Sequence, residues 1–464
     1  MSRKFQVKAI PSSWLENNGR RLDCGPYMSG AIEAAELMKQ FSAEPLESLT
    51  TDIFHAGREG RQYVLDAKHG VPFMGSTDIL AFDLSYQPLL SKRQVSRNPQ
   101  FTIRKGWTLI TRSGTTGRMA FARESMDGMA CSEHVMRIVP DANKVPEGYI
   151  FAYLSSRFGI PLVVSGTYGS IIQSIEPHHV SNLPVPRLGE IESVADQLIQ
   201  RAGALLSASQ SKLNEATQLY FDAVGLSDIS PTDWHSWGSD LGFTTSANVK
   251  SLRALNFNPR FDRLCSQIKK GPYKLLGDIC SEGTLRRGNI FKRIDADPEH
   301  AYQLIGQKQI FWLRPEGRWI SKASARDEVI VPDETILVAA QGTLGEGELF
   351  CRAEFITGDS LDRAYSEHFL RVIADETKME RGALFAFMRS EMAFRMLRSS
   401  STGSKLQDFH YAVLPSLPIP YPEQAVRRRC HELVIEAYRV RDEAIRLEDE
   451  ARSLVERIIE EGGR

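Results

Sequence analysis

Near the end of the chain, apolar residues alternate at spacings of four and three: Val426, Cys430, Leu433, Ala437, Val440, Ala444, Leu447, Ala451, Leu454 and Ile458. That spacing predicts one long helix with an a/d seam, the pattern of a coiled coil. Pro422 stands where a first-turn proline is tolerated, and Gly462-Gly463 ends the pattern. At about 1.5 Å per residue the rod is roughly 58 Å long. An earlier stretch has the same character but is looser. Ile191, Ala195, Leu198, Ala202 and Leu205 keep one register; Leu213, Ala216, Tyr220 and Ala223 resume it after a slip. Alanine at alternate seam positions lets two backbones approach closely, so the two helices are expected to pack antiparallel within one chain. Leu198, Leu205, Leu213, Leu433, Val440, Leu447 and Leu454 are the seam residues on which helix pairing and partner binding are expected to rest.

Each rod is preceded by the same prolyl stretch, Leu183-Pro184-Val185-Pro186 and Leu417-Pro418-Ile419-Pro420, 234 residues apart. Proline fixes φ and biases the residue before it away from helix, so each stretch reads as stiff, extended chain. The offset of 234 recurs. Ser132-Glu133-His134-x-x-Arg137 returns as Ser366-Glu367-His368-x-x-Arg371. Gly148-Tyr149-Ile150-Phe151-Ala152-Tyr153 returns as Gly382-Ala383-Leu384-Phe385-Ala386-Phe387, and Gly169-Ser170-x-x-Gln173 as Gly403-Ser404-x-x-Gln407. Gly114-Thr115-x-Gly117 matches Gly342-Thr343-x-Gly345 at 228. Co-linear matches of this kind mark an internal repeat. The expected organisation is a first domain over 1–187, a central helix and linker over 188–249, a second domain over 250–421 and a C-terminal helix over 422–464.

Within the first copy, Arg20 to Tyr27 reads as a surface turn and Ser29 to Phe41 as helix. Short β-type runs then alternate with turns: Tyr63-Val64-Leu65, Asp78-Ile79-Leu80-Ala81-Phe82, Thr108-Leu109-Ile110-Thr111 and Met119-Ala120-Phe121. A helix is expected at Gly148 to Arg157. The fold class is mixed α/β: two tandem domains, each followed by a long helix. Residues 50–105 and 280–335 hardly align, although both are rich in cations. Gly225 to Val249 reads as a linker whose Trp234 and Trp237 pin it to a neighbouring surface.

Composition adds limits. Six cysteines show no metal-ligand spacing and suit a reducing cytoplasm. No secretory leader is read. The most apolar window, Tyr149 to Gly166, holds Arg157 and reads as a buried helix and strand rather than a membrane span. Net charge is −1. Residues 1–187 and 250–421 are nevertheless net basic, by four and three charges, while 188–249 and 422–464 are net acidic, by six and two. This distribution fits DNA contact by the domains and protein contact by the rods.

Candidate chemistry is sparse. Thr111 to Arg118 resembles a phosphate-binding loop, but the lysine such loops carry is absent, and the second copy keeps the glycines while losing the Ser-Thr groups. A tight turn between two strands explains both copies. Glu133-His134 and Glu367-His368 precede apolar strands without a nucleophile, so hydrogen bonding to backbone is the simpler reading than acid–base work. Arg137 and Arg371 stay open as phosphate contacts. His178-His179 is not repeated, which argues against a metal. No cofactor and no catalytic residue is expected.

The tandem order of these motifs resembles the specificity subunit of type I restriction–modification systems, over nearly the whole chain. That resemblance implies two target-recognition domains, each reading half of a split, asymmetric site in double-stranded DNA. The two helices would then form an antiparallel spacer. It also implies partners: two adenine methyltransferase subunits, restriction subunits joining through them, and no membrane. By position, Lys105, Arg112 and Arg118 in the first domain, and Arg286, Arg287, Lys292, Arg293 and Lys405 in the second, are the expected DNA contacts. A coiled-coil scaffold that binds proteins rather than DNA is the rival.

Overall fold

The computed structural model describes residues 7–17, 20, 22, 24–166, 174–238, 242–246, 251–325 and 329–462. The Gly169-Ser170-x-x-Gln173 motif lies outside them. The chain divides into two compact units, Met1–Ser207 with Glu443–Arg464, and Ala208–Asp442.

The first unit begins with three short helices, α1 (Ser12–Asn17), α2 (Gly25–Met28) and α3 (Ala31–Met38). Where a surface turn was expected, α2 forms one helical turn and Tyr27 is buried. Next come β1 (Ala43–Pro45), β2 (Thr50–Phe54), β3 (Tyr63–Val64), β4 (Gly70–Met74), β5 (Leu89–Ser91) and α4 (Lys92–Arg97). They are followed by β6 (Thr108–Thr111), β7 (Met119–Phe121), β8 (Ala130–Cys131) and β9 (Val135–Pro140). Helices α5 (Glu147–Leu154), α6 (Gly159–Ser165) and α7 (Pro177–Ser181), strand β10 (Pro184–Pro186) and the long helix α8 (Glu190–Ala223) complete the series.

One antiparallel sheet runs β2-β9-β6-β7, and a second runs β3-β5-β4-β8 with β4 and β8 parallel. Side chains alternate across a strand. Ile110, Met136 and Ile138 therefore face α5 and α6, while Leu109 and Val135 meet Met74, Ile79 and Cys131 on the other side. Two expectations fail here. Asp78–Leu80 is a 3-10 turn, because the Asp78 carboxylate accepts from Gly75 N–H at 2.7 Å and closes the chain on itself. The second half of the Tyr149–Gly166 window is helix α6, packed by Leu162 and Val163 into the core.

In the second unit lie α9 (Pro231–Ser236), α10 (Pro259–Ile268), β11 (Tyr273–Leu275), α11 (Leu276–Ile279), β12 (Arg286–Arg287), β13 (Ala301–Ile305) and β14 (Arg318–Ser321). Strands β15 (Thr335–Ala339), β16 (Ala353–Ile356), β17 (Ala364–Tyr365) and β18 (Phe369–Val372) follow. Helices α12 (Arg381–Met388) and α13 (Glu391–Ser399), strands β19 (Ser401–Thr402), β20 (Asp408–Phe409) and β21 (Pro418–Pro420), and helix α14 (Gln424–Glu460) end the chain. The linker helix α9 carries a Ser230/Asp233 capping box. Its Trp234 is buried beneath Arg260, and Trp237 lies under Arg263 at 4.3 Å, so the tryptophans do pin this segment to α10.

The sheets repeat except at the edge strand β3, which only the isolated Asp295–Ile320 bridge beside β14 answers. β12-β18-β15-β16 answers β2-β9-β6-β7, and β14-β13-β17 answers β5-β4-β8, including the parallel pair Leu304↔Ala364 in place of Phe73↔Ala130. The segments 50–105 and 280–335, unalignable as sequence, thus share one topology. Each L-P-x-P stretch is a strand: β10 pairs with β1 (Glu44↔Val185) and β21 with β11 (Lys274↔Ile419).

The long helices α8 and α14, of 34 and 37 residues, run antiparallel and span ~51 and ~56 Å. Arg201 meets Glu443 (3.0 Å) in the first unit. In the second, Ser209 Oγ donates to Ala437 O (2.7 Å), Lys212 meets Glu436 (3.0 Å) and Cys430 lies against Ala216. The seam of α8 differs from the expected one. Its buried line is Ala195, Ile199, Ala202, Leu206, Ser209, Leu213, Ala216 and Tyr220, an unbroken four-three alternation. Leu198 and Leu205 are half-buried flanks, and no slip exists. A polar serine at the central seam position hides the continuity from a reading by hydrophobicity. In α14, Cys430, Leu433, Ala437, Val440 and Ala444 are buried as expected, but Leu447, Leu454 and Ile458 are flanks. Ala451 is buried as expected, and Glu448, Val455 and Ile459 join it on the buried face. A straight helix drifts ~20° per heptad from a 3.5 repeat. The tail of α14 also faces the core of the first domain, where Ala451, Val455 and Ile459 pack.

Each domain is held by both rods. Gly148 opens α5 against α8, its N–H bonded to Asp196 Oδ1 at 2.7 Å, and a Cβ there would lie 2.8 Å from Ile199 Cβ. Gly382 opens α12 against α14, its N–H bonded to His431 Nδ1 at 3.2 Å, and a Cβ would lie 2.9 Å from His431 Cα. The repeated glycine marks a close approach between domain and rod in each copy.

Candidate nucleic-acid interface

The Ser-Glu-His turn sits at the same junction in both domains. Ser132 N–H bonds to Met74 O and Ser366 N–H to Ile305 O, at the ends of β4 and β13. Two residues on, the histidine carbonyl accepts from the end of the central strand: Arg112 N–H to His134 O (2.8 Å) and Ala340 N–H to His368 O (2.9 Å). These backbone bonds fix the turn whatever its side chains are. The side chains add a polar cluster. Glu133 Oε1 lies 3.4 Å from His134 Nε2, and Glu367 Oε1 lies 3.5 Å from His368 Nε2. The other imidazole nitrogen differs in partner. His134 Nδ1 meets Ser113 Oγ at 2.6 Å. With the Gln341 amide turned to the orientation that satisfies both neighbours, its nitrogen donates to His368 Nδ1 at 2.6 Å and its oxygen accepts from Arg287 at 2.8 Å.

An arginine from the divergent half of each domain closes the cluster. Arg61 Nη2 lies 3.3 Å from Glu133, and Arg293 Nη2 grips both oxygens of Glu367 at 2.8 and 2.7 Å. Their places are equivalent. Ser91, at the end of β5, bonds through its N–H to Gln62 O (2.9 Å), and Ser321, at the end of β14, to Ile294 O (2.8 Å). Arg61 and Arg293 are the residues just before. The glutamates are nearly covered, at 10% and 11% side-chain exposure, whereas the histidines keep 44% and 38%. Burial alone would raise both carboxyl pKa values; hydrogen bonds from backbone N–H and from the arginines more than offset it, so both stay below the ordinary range and ionised. Desolvation, with Arg287 and Arg293 nearby, lowers the His368 pKa against the opposing pull of Glu367, which favours a neutral ring.

The residues expected to contact DNA fall into two groups. Arg112 donates to Ile175 O at 3.0 Å and pairs with Glu176. Arg287 pairs with Asp408 and donates to Glu367 O at 2.9 Å, beside the Arg293–Glu367 pair. Arg118 folds back on Thr116 O at 3.3 Å. Lys105 is exposed and pairs with Glu124 at 2.9 Å. Arg286, Lys292 and Lys405 are exposed and make no ion pair among the described residues. Only Arg287 and Arg293 are drawn into one cluster. Arg61 is the residue that sequence reasoning missed, since nothing aligned it with Arg293.

Arg137 is corrected. It has no exposed surface and donates to the carbonyls of Ser132, Val135, Phe101 and Cys131, so it is a buried brace rather than a phosphate contact. The Gly114-Thr115-x-Gly117 segment is the β6–β7 turn, with both glycines at φ +81°. In the second domain, Gly342 instead gives room for Phe350, whose Cβ lies 2.9 Å from where a Cβ would stand. Among the described residues no helix is long and apolar enough to cross a membrane, and no group of His, Cys, Asp or Glu is placed to hold a metal ion.

No protein-family model and no curated protein sequence matches this chain. Solved structures do. The crystal structure of a type I restriction–modification system S subunit from M. genitalium is similar at 12% identity and TM-score 0.36, over 91% of this chain and 95% of that one. An HsdS subunit from Thermoanaerobacter tengcongensis is similar at 13% and 0.28, over 92% and 97%. A chain from a structural study of complex assembly and conformational transition of the type I R-M system is similar at 13% and 0.25, over 91% and 97%.

Proposed function

We propose that this chain is the non-catalytic DNA-recognition subunit of a type I restriction–modification complex, or of a related methylation-based defence complex. The observation that carries the reading is the duplication itself. One backbone framework is followed twice by a prolyl strand and a long helix, and the helices pair antiparallel. A framework kept twice with different polar side chains suits two readers of different sequences. Each domain reads one half of a bipartite, asymmetric site in double-stranded DNA from the major groove, where base edges are distinguishable. Lysine and arginine contacts to phosphates set the register. Exposed Arg286, Lys292, Lys405 and Lys105 suit that role, with Arg112 and Arg118 as further candidates. The acidic rods fix the spacing between half-sites and dock two adenine methyltransferase subunits, through which restriction subunits join. The methyltransferases flip an adenine in each half-site. The complex works in the cytoplasm.

The test is co-expression with the methyltransferase gene beside it, followed by single-molecule sequencing of methylated genomic DNA. A split motif with one modified adenine in each half is the expected result, and exchanging residues 1–187 for another such domain should change one half only. A complex that forms without modification, and without salt-dependent DNA affinity, would leave a protein-binding scaffold in its place.

A further inference from the structure

Two clusters built alike, whose arginines come from segments that share no sequence, call for a common task. The backbone bonds of the Ser-Glu-His turns already hold the junction, so the Arg–Glu pair is not needed to close it. A brace would bury its arginine, as Arg137 is buried. Arg61 and Arg293 instead keep 31% and 33% of their side-chain surface, on carboxylates that are almost covered. The carboxylate orients each guanidinium from below. Arg293 is bound through Nη2 alone among the described residues, which leaves the donors on Nη1 and Nε for a ligand. Arg61 is oriented further by the Phe73 ring, 5.1 Å from its Cζ, and by Tyr63. A guanidinium anchored on a carboxylate, with donors still unused, can reach guanine O6 or N7 in the major groove.

We propose, resting on the DNA-recognition reading above, that Arg61 and Arg293 are equivalent base-reading residues, one per half-site, each contacting a guanine. Glu133 and Glu367 position them. Neighbouring groups then give each centre its own character. The first presents Ser113 beside His134; the second presents Gln341 and Arg287 beside His368. The same arginine position is therefore set among different donors and acceptors, and neighbouring bases are read differently in the two halves.

The experiment uses the complete methyltransferase complex with Arg61→Ala, Arg293→Ala and Arg293→Lys. Methylated motifs are sequenced, and affinity is measured on cognate and random duplexes. In each alanine variant, the preference for guanine at one position of one half-site should fall on the order of ten- to a hundredfold, with the other half unchanged. Lysine keeps the ion pair to Glu367 and the positive charge but loses the separate planar donors that carry base recognition beyond that pair, so Arg293→Lys should relax the same position while binding random DNA normally. A uniform loss of affinity with an unchanged motif, restored by lysine, would make Arg293 a phosphate contact and overturn the proposal. So would an unchanged motif and affinity in all three variants. Both results leave the parent reading standing if the unaltered complex methylates a split motif. Absence of such a motif in the unaltered complex would remove the parent reading instead.

Discussion

The two domains satisfy the same carbonyl from opposite sides of an interface. In the first, Pro186 O accepts from Tyr149 on the domain's own helix α5. In the second, position 383 is alanine, and Pro420 O accepts from Tyr220, which stands on the rod α8. The bond is kept and the donor has moved. Packing follows suit: Tyr220 and Phe221 fill the space over Phe387, with ring centroids 5.8 and 6.0 Å away, whereas Ala451, Val455 and Ile459 of α14 pack into the first domain's core. The comparison teaches that duplication has conserved the place where polar backbone must be satisfied, not the residue that does it. Leaving a buried carbonyl unpaired costs ~1–3 kcal/mol, so a lost donor on one side demands a gained donor on the other.

The comparison can be broken most strongly at the rod. Val455→Asp places a charge in the first domain's core and should cost ~3–5 kcal/mol, while Leu454→Asp, on a half-buried flank, should cost far less. Urea unfolding of both variants checks the seam; equal losses would restore the register read from sequence. Arg137→Ala, which removes a donor from four backbone carbonyls and empties a buried site, should likewise cost ~3–5 kcal/mol. Arg371→Ala removes a less buried arginine and should cost clearly less, so the same unfolding assay distinguishes a brace present in one domain from one present in both.

Much of this was legible in advance. The L-P-x-P strands, the Ser-Glu-His turns and the Gly148/Gly382 contacts were visible as repeats because each depends on a residue type that few others replace. The divergent halves were not legible. Strands β3 to β5 and β12 to β14 are set by backbone pairing and by generic apolar faces, which many sequences satisfy. The equivalence of Arg61 and Arg293 emerges only when Ser91 and Ser321 are seen bonding to the residues that follow them. Asp78–Leu80 was misread because one side-chain hydrogen bond outweighed a β-type run.

Smaller effects sharpen the picture. Ser209→Ala removes one hydroxyl bond to Ala437 O within the seam and should cost ~1 kcal/mol, seen as a small shift in the urea midpoint. Replacement that left stability unchanged would mean the serine is there for fit alone. Smallest is a pH effect confined to the second domain. Desolvation pushes the Glu346 carboxyl up, but the Arg395 hydrogen bond and charge more than offset this and hold it at about 2. A depressed carboxylate stabilises the fold above its unfolded pKa and loses that contribution as pH falls. Stability tied to Glu346 should therefore fade between about pH 4.5 and 2, and Glu346→Gln should flatten the acid-unfolding curve there.

Sequence alone determined the duplication, the two rods and their antiparallel pairing, because hydrophobic spacing and proline act locally and repeat in register. It also determined the mixed α/β class. Tertiary structure decided which face of each rod is buried. The rods pack against a domain as well as against each other, and a helix of 3.6 residues per turn drifts from a seven-residue pattern. It also decided which arginines are braces and which are exposed on buried carboxylates. That distinction depends on long-range burial, and neither spacing nor charge count along the chain contains it.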